Sequence, residues 1–109
     1  MNKEIINKIN QFREDRNWKQ FHNPKDLVIS LNLEASELLE VFQWSSNEEV
    51  IPSKFDKIKE ELADVLIYSY MIASDLDLDI DQIIEDKIKL NELKYPIDKA
   101  FNNKSKYNM

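Results

Sequence analysis

Four carboxylates in this chain occupy positions that solvation does not explain. Between Leu27 and Trp44, the apolar residues Leu27, Leu31, Leu38 and Phe42 recur at helical spacing and are expected to face a core. Glu34 falls inside that stripe, three residues after Leu31 and four before Leu38, and Glu37 follows one turn later. The apolar run Leu62 to Ala73 shows the same irregularity, carrying Asp64 with Glu61 three residues before it. A carboxylate aimed at a core is costly unless it is partnered. Four drawn together cannot all remain ionised without a compensating cation. All-oxygen ligation suits a hard divalent ion, Mg²⁺ or Mn²⁺ in its place. The competing reading is two acidic faces on solvated helices, the usual setting of glutamate. Glu48-Glu49 and Glu60 fit that reading; Glu34, Glu37, Glu61 and Asp64 each interrupt or border an apolar stripe.

The elements that must position these acids are helices. Ile5, Ile6, Ile9 and Phe12 outline a first amphipathic helix that frays near Asn17, followed by an aromatic-rich connection from Trp18 to His22. Asn23-Pro24 is a start signal, cap then first helical residue, for a helix running to about Trp44. Ser45 to Pro52 reads as a short connection, and Ser53 with Asp56 three later as the cap of a helix continuing to about Asp75. Asp79 with Gln82 three later opens a last helix that ends near Lys94, ahead of Tyr95-Pro96. Residues 1–96 thus read as a single helical domain and 97–109 as a tail without clear period, either disordered or laid across the bundle. A short connection makes the two long helices antiparallel neighbours. At about 1.5 Å per residue, Glu37 and Glu61 lie roughly 10 and 12 Å from the connecting end, with Glu34 and Asp64 one turn beyond. Two acid pairs at one height form a four-carboxylate cage.

Composition narrows the remaining possibilities. The 109 residues are 42% hydrophobic and 33% charged, the balance of one globular domain. The absence of glycine argues against hairpin-rich folds and phosphate-cradling loops, and the absence of cysteine removes disulfides and thiolate metal sites. One histidine, His22, is too few for most zinc sites and for the paired Glu-x-x-His motifs of a di-iron bundle. A net charge of −6 argues against nucleic acid as a partner, although an acidic protein binds a polyphosphate through a divalent cation. The start lacks a signal-peptide core, and the longest apolar run is too short for a bilayer, so a cytoplasmic, non-membrane protein is expected. Leu62 to Ala73 is apolar nearly all round, as in a helix buried on several sides, which favours self-association. On the last helix Lys87, Asn91 and Tyr95 follow at intervals of four and share one face, which reads either as a solvated edge or as a phosphate-binding row.

The sequence also resembles a known family. Glu34-Ala-Ser-Glu37 followed by Glu61-Leu-Ala-Asp64 is similar to the ExxE…ExxD signature of the MazG-like, all-α nucleoside triphosphate pyrophosphohydrolases. Arg16-Asn-Trp-Lys-Gln-Phe-His22-Asn-Pro24, Leu38 to Trp44, Asp64-Val-Leu-Ile-Tyr68 and Lys87 to Pro96 resemble the branch that acts on dCTP. The likeness runs from about Phe12 to Tyr107. It implies an all-α, antiparallel bundle of about four helices that assembles as a homodimer or homotetramer, one chain completing the site of another. It further implies that Glu34, Glu37, Glu61 and Asp64 bind Mg²⁺ and carry catalysis. Trp18, His22, Trp44 and Tyr68 would form the base and sugar pocket, and Lys87, Asn91 and Tyr95 would hold phosphates or pocket edges. The expected reaction converts a nucleoside triphosphate such as dCTP, or a modified pyrimidine triphosphate, into the monophosphate and pyrophosphate. The alternative is a catalytically silent helical oligomer that binds nucleotides or a protein partner.

Overall fold

The computed structural model describes residues 3–102. It is helical throughout, with no strand among the described residues: α1 (Lys3–Asp15), a 3-10 turn (Lys19–Phe21), α2 (Pro24–Phe42), α3 (Asn47–Ser53), α4 (Phe55–Asp75), α5 (Ile80–Lys94) and α6 (Ile97–Ala100). The chain divides into two compact units, one spanning Asn2–Leu78 and one beginning at Asp79. None of the described helices is long and apolar enough to cross a membrane.

The first unit holds the acids. Asn23 caps α2 as expected, its side chain accepting the Asp26 N–H at 2.9 Å ahead of Pro24. α2 stops two residues short of Trp44, at a turn in which the Ser45 N–H donates to the Phe42 carbonyl at 3.2 Å. Trp44 itself takes φ 68°, a left-handed conformation rare for a bulky side chain, and is 92% exposed.

The expected connection from Ser45 to Pro52 is instead largely helical. Ser46 accepts the Glu49 N–H at 3.2 Å, with Glu48 and Glu49 in the first turn, and Val50, 1% exposed, anchors α3. Ser53 is accordingly not the cap of α4. Its hydroxyl donates to the Glu49 carbonyl at 2.7 Å, closing α3, and α4 starts from Lys54 without a side-chain cap. Ser46-x-x-Glu49 carries the capping spacing that the expectation assigned to Ser53.

α2 packs chiefly on α4, and α1 also packs on α4. Glu34 lies by Asp64 while Glu37 lies by Lys57, so numbers rise along α2 as they fall along α4 and the pair is antiparallel. α1 runs the other way relative to α4: Ile5 faces Ala63 and Leu66, and Asn10 bonds Ser74 at 3.0 Å. On α2 the expected stripe turns inward, Leu27 only 1% exposed and Leu31, Leu38 and Phe42 half-buried, while the C-terminal end buries Val41 more deeply than the expected Phe42. On α1 the stripe is rotated from the expected one. Ile6, Ile9, Asn10 and Arg13 turn inward, while Ile5 and Phe12 are exposed. On α2 and α4, Val28, Ile29, Leu33, Leu39, Leu62 and Leu66 remain exposed.

The second unit begins as expected, Asp79 accepting the Gln82 N–H at 3.0 Å to cap α5. α5 ends at Lys94 before Pro96, and the short α6 then occupies the start of the segment expected to lack period. The expectations for the tail beyond Asn102 lie outside the described residues.

Candidate active site

The antiparallel pairing of α2 and α4 brings the acids together. One carboxylate oxygen each from Glu34, Glu61 and Asp64 lies within 4.8 Å of the others. Divalent cations bind oxygens at about 2.0–2.6 Å, so oxygens on different sides of one ion stand roughly 3–5 Å apart. The donor set fits such an ion in a second respect. Glu34 Oε2 and Glu61 Oε2 are buried without a hydrogen-bond partner, which a metal ion would supply. Glu61 is only 6% exposed, the deepest of the acids. Glu37 is exposed and stands within hydrogen-bonding reach of both Glu34 and Glu61, beside the trio.

The two glutamates of the cluster are driven in opposite directions. Glu34 is pushed up from 4.5 to about 7, first by desolvation, then by the hydrogen bond that its protonated carboxyl donates to Glu37, and by the negative charges of Glu37, Asp64 and Glu61. Glu61 is held below the usual carboxylate range because Lys57, one turn earlier on α4, donates to its Oε1 at 2.8 Å. The Lys57 ammonium is stabilised in turn by Glu61. A shallow basin of about 730 Å³, lined by Glu37, Glu40, Lys54, Lys57 and Glu61 among others, opens beside them.

On the other side of the cluster is an apolar cavity of about 410 Å³. Its walls are Phe12, Trp18, Ile67, Tyr68 and Met71, and His22, Glu34 and Asp64 also line it. Trp18 is set by its N–H, which donates to the Arg13 carbonyl at 2.8 Å, and by an edge-on contact with Phe12 at 5.5 Å between centroids. The Arg16 guanidinium covers the Phe12 ring at 3.8 Å. Volume, aromatic walls and a carboxylate edge match what a nucleoside needs: stacking surface for a base, with its phosphate end directed at the acids.

Of the sequence-predicted residues, Glu34, Asp64, Trp18, His22 and Tyr68 line this cavity, and Glu61 joins Glu34 and Asp64 in the carboxylate trio, with Glu37 adjoining. Trp44 does not line the cavity and projects into solvent from its turn. Lys87, Asn91 and Tyr95 lie on the second unit, Lys87 and Asn91 on α5 and Tyr95 at its C-terminal end. Sequence reasoning missed Arg13, which is 0% exposed and gripped by Asp75, its Nη1 and Nη2 donating to the two carboxylate oxygens at 3.0 and 2.9 Å. The signal was present: Ile6, Ile9 and Arg13 have helical spacing, so Arg13 interrupts its stripe as Glu34 does on α2. Lys57 was also missed, although its offset of four from Glu61 is the spacing of a helical ion pair.

Known proteins share both the sequence and the shape. The MazG-like family matches over residues 29–109. dCTP pyrophosphatase 1 of Mus musculus is 35% identical and that of Homo sapiens 34%, each alignment covering 89% of this chain and 60% of the relative. The chain therefore spans about 60% of the length of these curated relatives. A solved pyrophosphatase from Archaeoglobus fulgidus DSM 4304 superposes with a TM-score of 0.83 at 36% identity, covering 86% of this chain and 91% of that one.

Proposed function

This chain belongs to the MazG-like family, and on that premise we propose that it is a Mg²⁺-dependent nucleoside triphosphate pyrophosphohydrolase. Its reaction would hydrolyse the anhydride between the α and β phosphates of dCTP or a modified pyrimidine triphosphate, giving the monophosphate and pyrophosphate. The observation that carries the reading is the junction of two features. A carboxylate trio with unpartnered buried oxygens borders an aromatic cavity of nucleoside size. The dCTP pyrophosphatases of mammals and the archaeal pyrophosphatase support the same chemistry.

Trp18 and Tyr68 supply stacking surface for the base, and His22 a polar contact. Glu34, Glu61 and Asp64 would hold Mg²⁺, with Mn²⁺ as a substitute. The bound ion supplies charge neutralisation of the phosphates and acidifies coordinated water. Glu37, next to the trio and open to solvent, accepts the proton of the attacking water at a carboxylate oxygen. Lys87, Asn91 and Tyr95 remain proposed phosphate or pocket-edge contacts. Trp44 fits an intermolecular role: a tryptophan held at φ 68° and 92% exposed is a strained, apolar projection that a second copy would cover. The exposed leucines of α2 and α4 agree with a homodimer or homotetramer.

The test is to incubate the full chain with each natural and several modified triphosphates plus Mg²⁺ and to resolve the products. Monophosphate with pyrophosphate is expected, and turnover should fall at least a hundredfold in Glu37→Gln, the order of effect of losing a general base. Orthophosphate as the product, or full activity in Glu37→Gln, would contradict it. Calorimetric binding of a non-hydrolysable analogue without turnover of any triphosphate would leave the silent-oligomer alternative.

A further inference from the structure

Arg13 is the most deeply buried charged side chain among the described residues, and the proposed reaction gives it no task. Its guanidinium is fixed from two elements. Asp75 on α4 takes two of its N–H groups at 3.0 and 2.9 Å, and Asn10 on α1 accepts a third. Nη1 also lies 3.5 Å from His22 Nδ1. A guanidinium has donors and no acceptor, so the imidazole nitrogen facing it serves as the acceptor. A neutral imidazole whose Nδ1 accepts carries its proton on Nε2.

We infer that Arg13, clamped by Asp75 and Asn10, is a positioning residue that fixes His22 as the Nε2–H tautomer, so that the ring offers the cavity a hydrogen-bond donor and selects a ligand with an acceptor there, such as a nucleobase carbonyl oxygen. The inference rests on the reading of the cavity as the base pocket. It separates this network from an ordinary staple between α1 and α4, for which the tautomer of His22 would be immaterial. The environment agrees. Burial, and then the positive charge of Arg13, hold His22 below its ordinary value, while Asp75 acts in the opposite sense. Lys8, Glu34 and Asp64 are the other charged groups on the same cavity wall.

His22 is the only histidine in the chain, so the imidazole ¹⁵N spectrum reports one ring. In the cation-free protein near pH 7.5, Nδ1 should resonate as an unprotonated nitrogen and Nε2 as a protonated one. Arg13→Met should shift the ring to a tautomer mixture and raise KM for the hydrolysed triphosphate roughly tenfold, the equivalent of about one hydrogen bond, with kcat within about twofold. Arg13→Lys keeps the charge for Asp75 but not the fork, and should show the same tautomer mixing in a protein that retains its helix content. A wild-type ring protonated on Nδ1, or an unchanged tautomer in both variants, overturns the proposal. If no triphosphate is turned over, the base-pocket reading fails on its own, and the spectra still decide the role of Arg13.

Discussion

Glu34 makes the cation-free protein lose stability as pH rises, and the size of that loss follows from its surroundings. Its carboxyl is raised from 4.5 to about 7 by desolvation, by the Glu37 hydrogen bond and by three neighbouring anions. A group with a raised native value binds more protons folded than unfolded between those limits. Its contribution is therefore complete below about 4.5 and is lost as pH climbs through 7. At about 1.4 kcal/mol per unit the ceiling is roughly 3 kcal/mol, and solvent screening of a half-buried group reduces this to about 1–2 kcal/mol. Denaturant unfolding in EDTA, at steps from pH 5 to 8.5, measures it. His22 complicates the window, because a histidine held below 6.5 makes stability rise with pH there. The informative quantity is thus the difference between wild type and Glu34→Gln, in which the amide mimics the protonated acid. The variant should be the more stable protein at pH 8 without cation, and the two should converge near pH 5. Parallel pH profiles would refute the reasoning, since they would mean that the carboxyl is not forced to keep its proton.

Mg²⁺ at one hundred times its dissociation constant should stabilise the protein by about 2.7 kcal/mol, with EDTA reversing the effect; thermal melts at pH 8 check it, and Asp64→Asn should blunt it. Leu27→Ala, which empties a side chain 1% exposed, should cost about 2–5 kcal/mol in urea unfolding without changing the number of cations bound. NMR titration of the His22 ring should give a midpoint below 6.5 that rises in Arg13→Met, because Arg13 is one of the two influences holding it down. Replacing Glu34 and Asp64 together by leucine should raise the melting temperature of the EDTA-treated protein while abolishing turnover, since apolar packing is often worth more than buried unpaired charge; a lower melting temperature would show that these acids pack better than a hydrocarbon would.

Much of this site was legible because it was written as exceptions to a rule. Glu34 and Asp64 betrayed themselves by occupying apolar positions of a helical period, and the caps at Asn23 and Asp79 set the helix starts. Arg13 broke the same rule but escaped notice, because Ile5 and Phe12 suggested a face rotated from the one that α1 buries. Four apolar residues on a short helix admit two such faces, and only the partner helix chooses between them. The Lys57 pairing with Glu61 was hidden for another reason. An offset of four between opposite charges is common on solvated helices, and nothing in the chain marks one member as buried. Trp44 was legible as an aromatic but not as an outward one, since the turn after Phe42 forces a left-handed residue where no glycine is available.

The arrangement has a simple logic once the seam of α4 is followed. Glu61, Asp64, Tyr68, Met71 and Asp75 succeed one another at steps of three and four, the spacing of a helix-packing seam. In an ordinary bundle these positions would be apolar. Here only Tyr68 and Met71 supply apolar surface, between the candidate cation site on one side and the Arg13 clamp on the other. α2 answers with Leu27, Leu31, Glu34, Leu38 and Val41, again one acid in the seam. Each polar substitution removes packing energy from the centre of a small domain, so the cation-free fold forgoes stability that a hydrocarbon seam would provide. An ion that satisfied the orphaned oxygens of Glu34 and Glu61 would return that deficit. Cation binding and folding would then be coupled through the same oxygens. The antiparallel pairing of α2 and α4 is what allows both, since in the parallel sense Glu34 could not lie level with Glu61 and Asp64 while Leu27 and Met71, seven residues away on each helix, also came level in the core.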